Sequence, residues 1–479
     1  MASIACAVDR IKDDPARFIP ASIITDACQR SGHRWRERVL GPVVTVRLMI
    51  LQVLFGNLSC RGLTRVAGLG VSGVAYCKAR GRLPLDVLGR VMHAIHGEAV
   101  RRCDAHAASP SDNGMSHNFR GNFRGSFRGL RNFRGKVALI DGSGVSMPDT
   151  PALQRAFGQP GRCLAGCGFP VMHTLWLFDA ATGLLLDLVA SRWNTHDLAD
   201  AAKLHPAMNE GDLLIGDRAF CSYAHIAMLL QANLHALVRA HQRLIIDFSP
   251  GRRPRHEHAK RRRRGITHST QLAKLGKRDQ LVRWDKPPAH SRPSWMTPAQ
   301  YDRLPGSITV RELQYDITRP GFRTQSVTLV TTLLDATAAS GCPADELAQM
   351  YNIRWRIETD LGHLKQTMRM DVLRCKSVDG VMKELWSYAI AYNLVRLLML
   401  DAAHRQKVPP NRLSFIDALD VLRHANAAAS HQTARIKVNP DRPGRHEPRR
   451  IKRPKDRYTY LTKPRDVLKK TLGIAEDSA

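Results

Sequence analysis

The sequence predicts a mixed α/β sheet with helices on its faces, entered through a helical region and interrupted by a β-rich insertion. Three observations carry this. Between 137 and 240, short apolar runs and helix-like segments follow the order β-β-β-α-β-α-β, which implies a mixed sheet covered by helices. Before about 115, apolar positions recur at helical spacing, through Val44, Leu48, Leu51 and Phe55 and again through Leu88, Val91 and Ile95. From about 240 to 340 that alternation gives way to a basic run, to prolines and to two strand-like runs.

Taken in order, the helical part holds a basic turn, Ser72-Gly-Val-Ala-Tyr76-Cys-Lys78-Ala-Arg80-Gly-Arg82-Leu-Pro84, whose three bases suit phosphates or simply solvate a loop. Residues 116–136 repeat one tetrapeptide, Asn118-Phe-Arg-Gly121 through Asn132-Phe-Arg-Gly135. Glycine at nearly every fourth position disfavours a helix, so this reads as a flexible basic linker. Val137-Ala-Leu-Ile140 is a buried-strand run ending at Asp141. Val171–Phe178 and Leu184–Ser191 are strands joined by the turn Asp179-Ala-Ala-Thr-Gly183. Asp197–Leu204 is helix-like, Asp212–Ile215 is a strand leading to Asp217, Tyr223–Gln231 is a helix, and Leu234–Val238 is a fifth strand. Strand-like runs return at Ile308–Ile317 and Ser326–Leu334, and a long helix pair covers about 343 to 405. The expected division is therefore a helical N-terminal domain (1–115), the linker (116–136), the first part of the core (137–240), the insertion (241–340), core completion (341–405) and a basic C-terminal region (406–479).

Charge bounds the function. The 479 residues hold 73 Lys+Arg against 42 Asp+Glu, a net charge of +31. Such a balance favours a polyanionic partner, through steering and counterion release. Gly251–Arg264 has eight Lys/Arg in fourteen residues, and 431–470 has fourteen Lys/Arg against four Asp/Glu. At 43% hydrophobic, the chain is too apolar to be wholly disordered. No run of 18 uninterrupted apolar residues suggests a membrane span, and the acidic and basic residues from Asp9 onward do not fit a secretory signal. Ten scattered cysteines fit a reducing, cytoplasmic setting, and Cys163 and Cys167 lack a second pair at zinc spacing. His173, His196, His256 and His258 also lack metal-ligand spacing.

The chemistry lies in three acids. Asp141 in Ile-Asp-Gly-Ser143 and Asp217 in Ile-Gly-Asp-Arg-Ala-Phe220 end short buried runs, where side chains of an α/β sheet emerge into a cleft. Taken singly, such an aspartate is more often a turn-former or helix cap. The third element is Tyr351-x2-Arg354-x3-Glu358-x6-Lys365. At about 100° per residue these four fall within a stripe roughly 60° wide, beside an apolar stripe of Ile353, Ile357, Leu361, Leu364 and Met368. Packing the apolar stripe on the sheet brings Glu358 to the edge of the buried face, while Asp360 points away. Clustering three carboxylates calls for a positive group between them, and two Mg²⁺ or Mn²⁺ ions answer that need with phosphodiester chemistry. Tyr351, Arg354 and Lys365 would then contact flanking phosphates. Alone, the helix would more readily be read as an exposed face of salt bridges.

Asp141-Gly-Ser, Asp217-Arg-Ala-Phe and Tyr351…Arg354…Glu358…Lys365 together resemble the insertion-sequence-four family of bacterial DDE transposases, over roughly 137 to 400. The resemblance implies a ribonuclease-H-like core and a catalytic, metal-holding triad of Asp141, Asp217 and Glu358 with two Mg²⁺ (or Mn²⁺) ions. It also implies DNA contacts from Tyr351, Arg354 and Lys365. The implied activity is cut-and-paste transposition through a hairpin, on double-stranded DNA at transposon ends and target. A homodimer would act on the bacterial nucleoid, with no membrane. In some members an insertion tryptophan stacks on a flipped base, a role open to Trp284 or Trp295. Two rivals remain open: a nuclease with the same core that never joins strands, and an inactive transposon-derived DNA-binding protein.

Overall fold

The computed structural model describes residues 19–67, 70–108, 132–161, 164, 166–249, 269–317, 325–424, 435–440 and 463–473. Most of the Phe-Arg-Gly repeat, the basic run 251–264, Cys163 and most of the basic tail lie outside the described residues. So do His256 and His258.

Among the described residues, the amphipathic pattern before 115 folds as five helices: α1 (Ala21–Arg30), α2 (Pro42–Leu54), α3 (Cys60–Val66), α4 (Gly73–Arg82) and α5 (Leu85–Ala108). Ser59 and Ser72 start α3 and α4 by accepting a backbone N–H three residues on, the usual N-cap bond. The basic turn of the sequence reading is thus mostly helix α4.

The sheet follows in β1 (Val137–Ser146), β2 (Val171–Asp179), β3 (Leu185–Arg192), β4 (Leu213–Gly216) and β5 (His235–Arg239), with α6 (Pro151–Phe157), α7 (Asp197–Leu204) and α8 (Tyr223–Gln231) between them. The insertion supplies β6 (Ser269–Gly276), β7 (Asp279–Asp285), the short α9 (Pro298–Asp302), β8 (Ser307–Ile317) and β9 (Gln325–Thr331). The nine strands of the described residues form one sheet in the order β3-β2-β1-β4-β5-β9-β8-β7-β6. β1, β4 and β5 run parallel, and the remaining pairs are antiparallel. The insertion therefore does not form a separate layer, because β9 pairs with β5 and extends the core sheet. The β6–β7 hairpin has no counterpart among the strands expected from sequence. Its outer strand carries exposed Leu272, Lys274 and Leu275, with none of the alternation that marks a half-buried strand.

The two sheet faces are covered differently. Leu139, Val145, Trp176, Ile215 and Leu237 face one core, and Ile140, Leu175, Leu214 and Ala236 face the other. The second face is closed by α7 and α8. The first is closed by α12 (Val378–Gln406), which is buried on nearly all sides because α2 and α5 pack on its far side. Mid-helix, the buried Asn393 amide is paired: it takes the Leu185 N–H and donates to the Leu185 carbonyl, each at 2.9 Å. The segment between β9 and α12 forms α10 (Ala344–Asn352), α11 (Trp355–Gly362) and a π-helical turn (His363–Thr367). After α12 come α13 (Phe415–His424) and α14 (Arg465–Thr471).

Candidate active site

β1 does not end at Asp141, as the sequence reading expected. It runs on to Ser146 because β2 pairs with it from Ala138 to Ser146. β4 alone stops short, at Gly216. The register of the parallel pair is Val137↔Leu213, Ala138↔Leu214 and Leu139↔Ile215, a constant offset of 76. Asp141 and Asp217 share that offset, so they lie side by side just past the last paired residues and on the same face as Leu139 and Ile215. Each has a glycine beside it for a steric reason. A Cβ on Gly142 would sit 2.7 Å from Asp197 Oδ1, and one on Gly216 would sit 2.8 Å from the Phe220 ring.

Asp141 Oδ1 accepts the Gly142 N–H at 2.8 Å. Burial pushes its carboxyl up to about 6, and the nearby Asp217 and Asp197 carboxylates add to the rise, against the Gly142 N–H and Arg354. Asp217 Oδ1 accepts the Ala219 N–H at 2.7 Å and caps the short turn Arg218–Phe220, so its helix-cap role is real. Asp197, which carried no signal in the sequence, lies across β1 from Asp141, with His173 Nε2 2.8 Å away but not aligned for a hydrogen bond. Its place beside Gly142 was visible only through the fold.

The Tyr351–Lys365 segment is not one regular helix. α10 stops at Asn352, and the chain tightens into i→i+3 bonds, Arg356 N–H to Ile353 O and Ile357 N–H to Arg354 O, before α11 begins. At the other end it loosens, with the Met368 N–H bonding His363 O in a π-turn, a feature frequent at functional sites. The apolar stripe behaves as expected, with Ile357, Leu361, Leu364 and Met368 all buried. Asp360 turns into the core and pairs with Arg396, which also donates to the Tyr392 hydroxyl at 2.8 Å.

Arg354 takes the central position. Its Nη2 donates to Glu358 Oε1 at 2.8 Å, and its Nη1 lies 3.6 Å from Asp141 Oδ2. The positive group that the acids called for is therefore, in this structure, a guanidinium. Glu358 is reached across Arg354, and among the described residues no three Asp, Glu, His or Cys side chains stand close enough to share one metal ion. The expected three-acid cage is therefore not assembled among the described residues: the two aspartates are adjacent and the glutamate stands one side chain away. As donors, three carboxylates fit Mg²⁺ or Mn²⁺, and the position held by Arg354 shows that a cation is accommodated between Asp141 and Glu358. Tyr351 is buried, and burial raises its hydroxyl to about 12, with Arg354, Asp217 and Arg239 close enough to act on it. Lys365 Nζ donates to Ser143 Oγ at 3.0 Å and to Gly144 O at 2.8 Å, which ties the π-turn to the end of β1. Trp284 is a core residue whose indole N–H donates to Glu312 at 3.0 Å, and Trp295 packs against the same core.

The family described as "Transposase DDE domain" matches residues 132–394, more than half of the chain. The chain belongs to that family. It is related to the Escherichia coli (strain K12) protein named "Transposase InsG for insertion sequence element IS4", with 27% identity over 282 residues. That match takes in 58% of this chain and 56% of the relative, so the chain spans little more than half the relative's length. Among solved structures, one titled "Cryo-EM structure of piggyBac transposase synaptic complex with hairpin DNA (SNHP)" aligns over 88% of this chain and 80% of its own, at TM-score 0.38 and 12% identity. The match to the transposase family begins at Asn132, the first residue of the last Phe-Arg-Gly repeat. There the Asn132 amide donates to Ala338 O and Gly341 O, and Phe133 meets His235 edge-on, so this repeat is docked. No helix among the described residues is long and apolar enough to cross a membrane.

Proposed function

We propose that this protein is a metal-dependent DNA transposase that cuts at the inverted-repeat ends of its own element and joins them to target DNA. The observation that supports the reading is the shared 76-residue offset between Asp141 and Asp217 beyond the end of β4, with Glu358 joined to Asp141 through Arg354. Asp141, Asp217 and Glu358 would hold two Mg²⁺ or Mn²⁺ ions. Bound there, such ions would supply the Lewis acidity that activates an attacking oxygen and relieves charge on the leaving one.

The chain's own residues bind and orient. Arg354, moved off the carboxylates, offers a planar fork to a phosphate's non-bridging oxygens. The Tyr351 hydroxyl stays protonated at neutral pH and so acts as a donor to the strand. Lys365 holds the end of β1 while adding positive charge beside the phosphate. The sequence of events is hydrolysis at the element end, attack of the freed 3′-hydroxyl on the opposite strand to form a hairpin, reopening, and joining to target DNA. Two copies of the chain would hold two ends.

Asp217→Asn and Glu358→Gln test this. The amide introduced by Asp217→Asn keeps the oxygen that caps Arg218–Phe220, so folding and DNA binding should persist while cleavage of an end-bearing duplex falls to background. Cleavage by either variant at the unaltered rate sinks the assignment. Joining of pre-cleaved ends to a plasmid distinguishes a transposase from a nuclease.

A further inference from the structure

Far from the acids, the connection between α1 and α2 reads Ser31-Gly-His-Arg-Trp-Arg-Glu-Arg38, three arginines interleaved with two rings. Gly32 takes φ +64° after α1, which turns the chain back so that this segment lies over α2 and the end of α4. A cavity of about 410 Å³ opens there, lined by Arg34, Arg36, Arg38 and Arg82, by His33 and Trp35, and by apolar Leu40, Pro42 and Leu83. Among the described residues none of these four guanidinium groups has a carboxylate partner, although Glu37 lies within the segment. Four guanidinium groups gathered on one concavity repel one another, an arrangement that an anionic ligand relieves.

The rings add a second requirement. His33 and Trp35 stack on each other, centroids 5.9 Å apart and planes 22° from parallel. Burial and the neighbouring Arg82 both hold His33 below its ordinary value, so at neutral pH it is an uncharged ring. A bare phosphate needs no aromatic wall and fills a small part of such a volume. Small-ligand pockets run from about 300 to 1,000 Å³, and this one falls at the low end of that range. Bases stack on aromatic side chains irrespective of sequence, while arginine forks take the phosphates on either side.

We propose that this cavity takes one unpaired nucleotide of a DNA strand, its base against His33 and Trp35 and its flanking phosphates on Arg36, Arg38 and Arg82. The choice of DNA over a free nucleotide rests on the transposase reading. The pocket itself is tested by binding without metal, so its failure is separable from failure of the catalytic assignment.

The experiment uses the full chain, with fluorescence-monitored titration by oligothymidylate, by a blunt duplex of equal length and by inorganic phosphate. Arg82→Gln and Arg36→Gln alter exposed side chains and should fold normally. Each should weaken oligothymidylate binding about tenfold and lower the salt-dependence slope by about 0.7 for each phosphate no longer neutralised, leaving duplex affinity little changed. Trp35→Phe, which keeps a ring, should retain binding but lose the part of the quenching that Trp35 contributes. Unchanged oligothymidylate affinity in both arginine variants overturns the proposal. So does a loss confined to the duplex, which would make the rim a contact for paired backbone. Inorganic phosphate competing at the same concentration as phosphate supplied in oligothymidylate overturns it too, since the rings would then contribute nothing.

Discussion

Two arginines hold carboxylates in opposite ways. In the insertion, Arg311 on β8 meets Asp279 on β7 through both Nε (2.8 Å) and Nη2 (2.5 Å), and its Nη1 reaches the Cys342 and Asp335 carbonyls. It is fully buried and its donors are used. At the candidate active site, Arg354 makes one good bond to Glu358, whose side chain is 40% exposed, and only a 3.6 Å approach to Asp141. The first arrangement fixes the sheet extension to the chain leading into α10. The second can be exchanged, because water reaches it and its geometry is incomplete. The loose pairing suits the proposed function, in which Arg354 would leave the carboxylates for a phosphate.

Breaking each pairing tests that contrast. Arg311→Met leaves Asp279 buried without its partner and should cost about 3–5 kcal/mol in urea unfolding. A change below about 1 kcal/mol would show that the pair is not what locks the insertion. Acid should cost nearly as much, at another place. His205 and His225 touch through their Nε2 atoms at 3.2 Å. Burial lowers His205 to about 3 and His225 to about 4, and it lowers His363, stacked on Phe415, to about 3. Their folded values lie below the ordinary 6.5, so the unfolded chain takes up more protons. Their stabilising contribution is whole above about pH 6.5 and falls as pH drops toward 4, by about 1.4 kcal/mol per unit for each histidine. A flat unfolding midpoint between pH 7 and 5 contradicts this.

Arg354→Gln should change stability by less than about 1 kcal/mol, since a half-open pair contributes little, yet cleavage should be lost. If it destabilises as much as Arg311→Met, the two pairings are alike and the contrast fails. The smallest effect is expected from metal. Mn²⁺ should raise the unfolding temperature by a few degrees through mass action, more in Arg354→Gln than in the unaltered protein and not at all in Asp141→Asn. Equal shifts in all three would place the ion elsewhere.

Much of the core was legible because its strands are apolar runs bounded by turns, and α8 over Tyr223–Gln231 was read to the residue. The acids of the candidate site were legible as motifs, but their geometry was not. The 76-residue spacing became meaningful only with the strand register. The tight turn at Ile353–Arg354 and the π-turn at His363–Thr367 arise from tertiary demands, the tie from Lys365 to Gly144 among them, that helical periodicity cannot register. Asp197 gave no warning because it acts across a strand. The outer strand β6 is silent in the sequence because one side of it faces no neighbour.

The packing of α2 and α5 on α12 bears on how the molecule can be divided. The long helix serves as the common wall of the N-terminal helices and the sheet, with side chains such as Met92, Leu385 and Tyr388 in one continuous core. A fragment starting at Val137 would expose a broad oily flank to water and should come out of solution as aggregates unless the missing helices are supplied in trans.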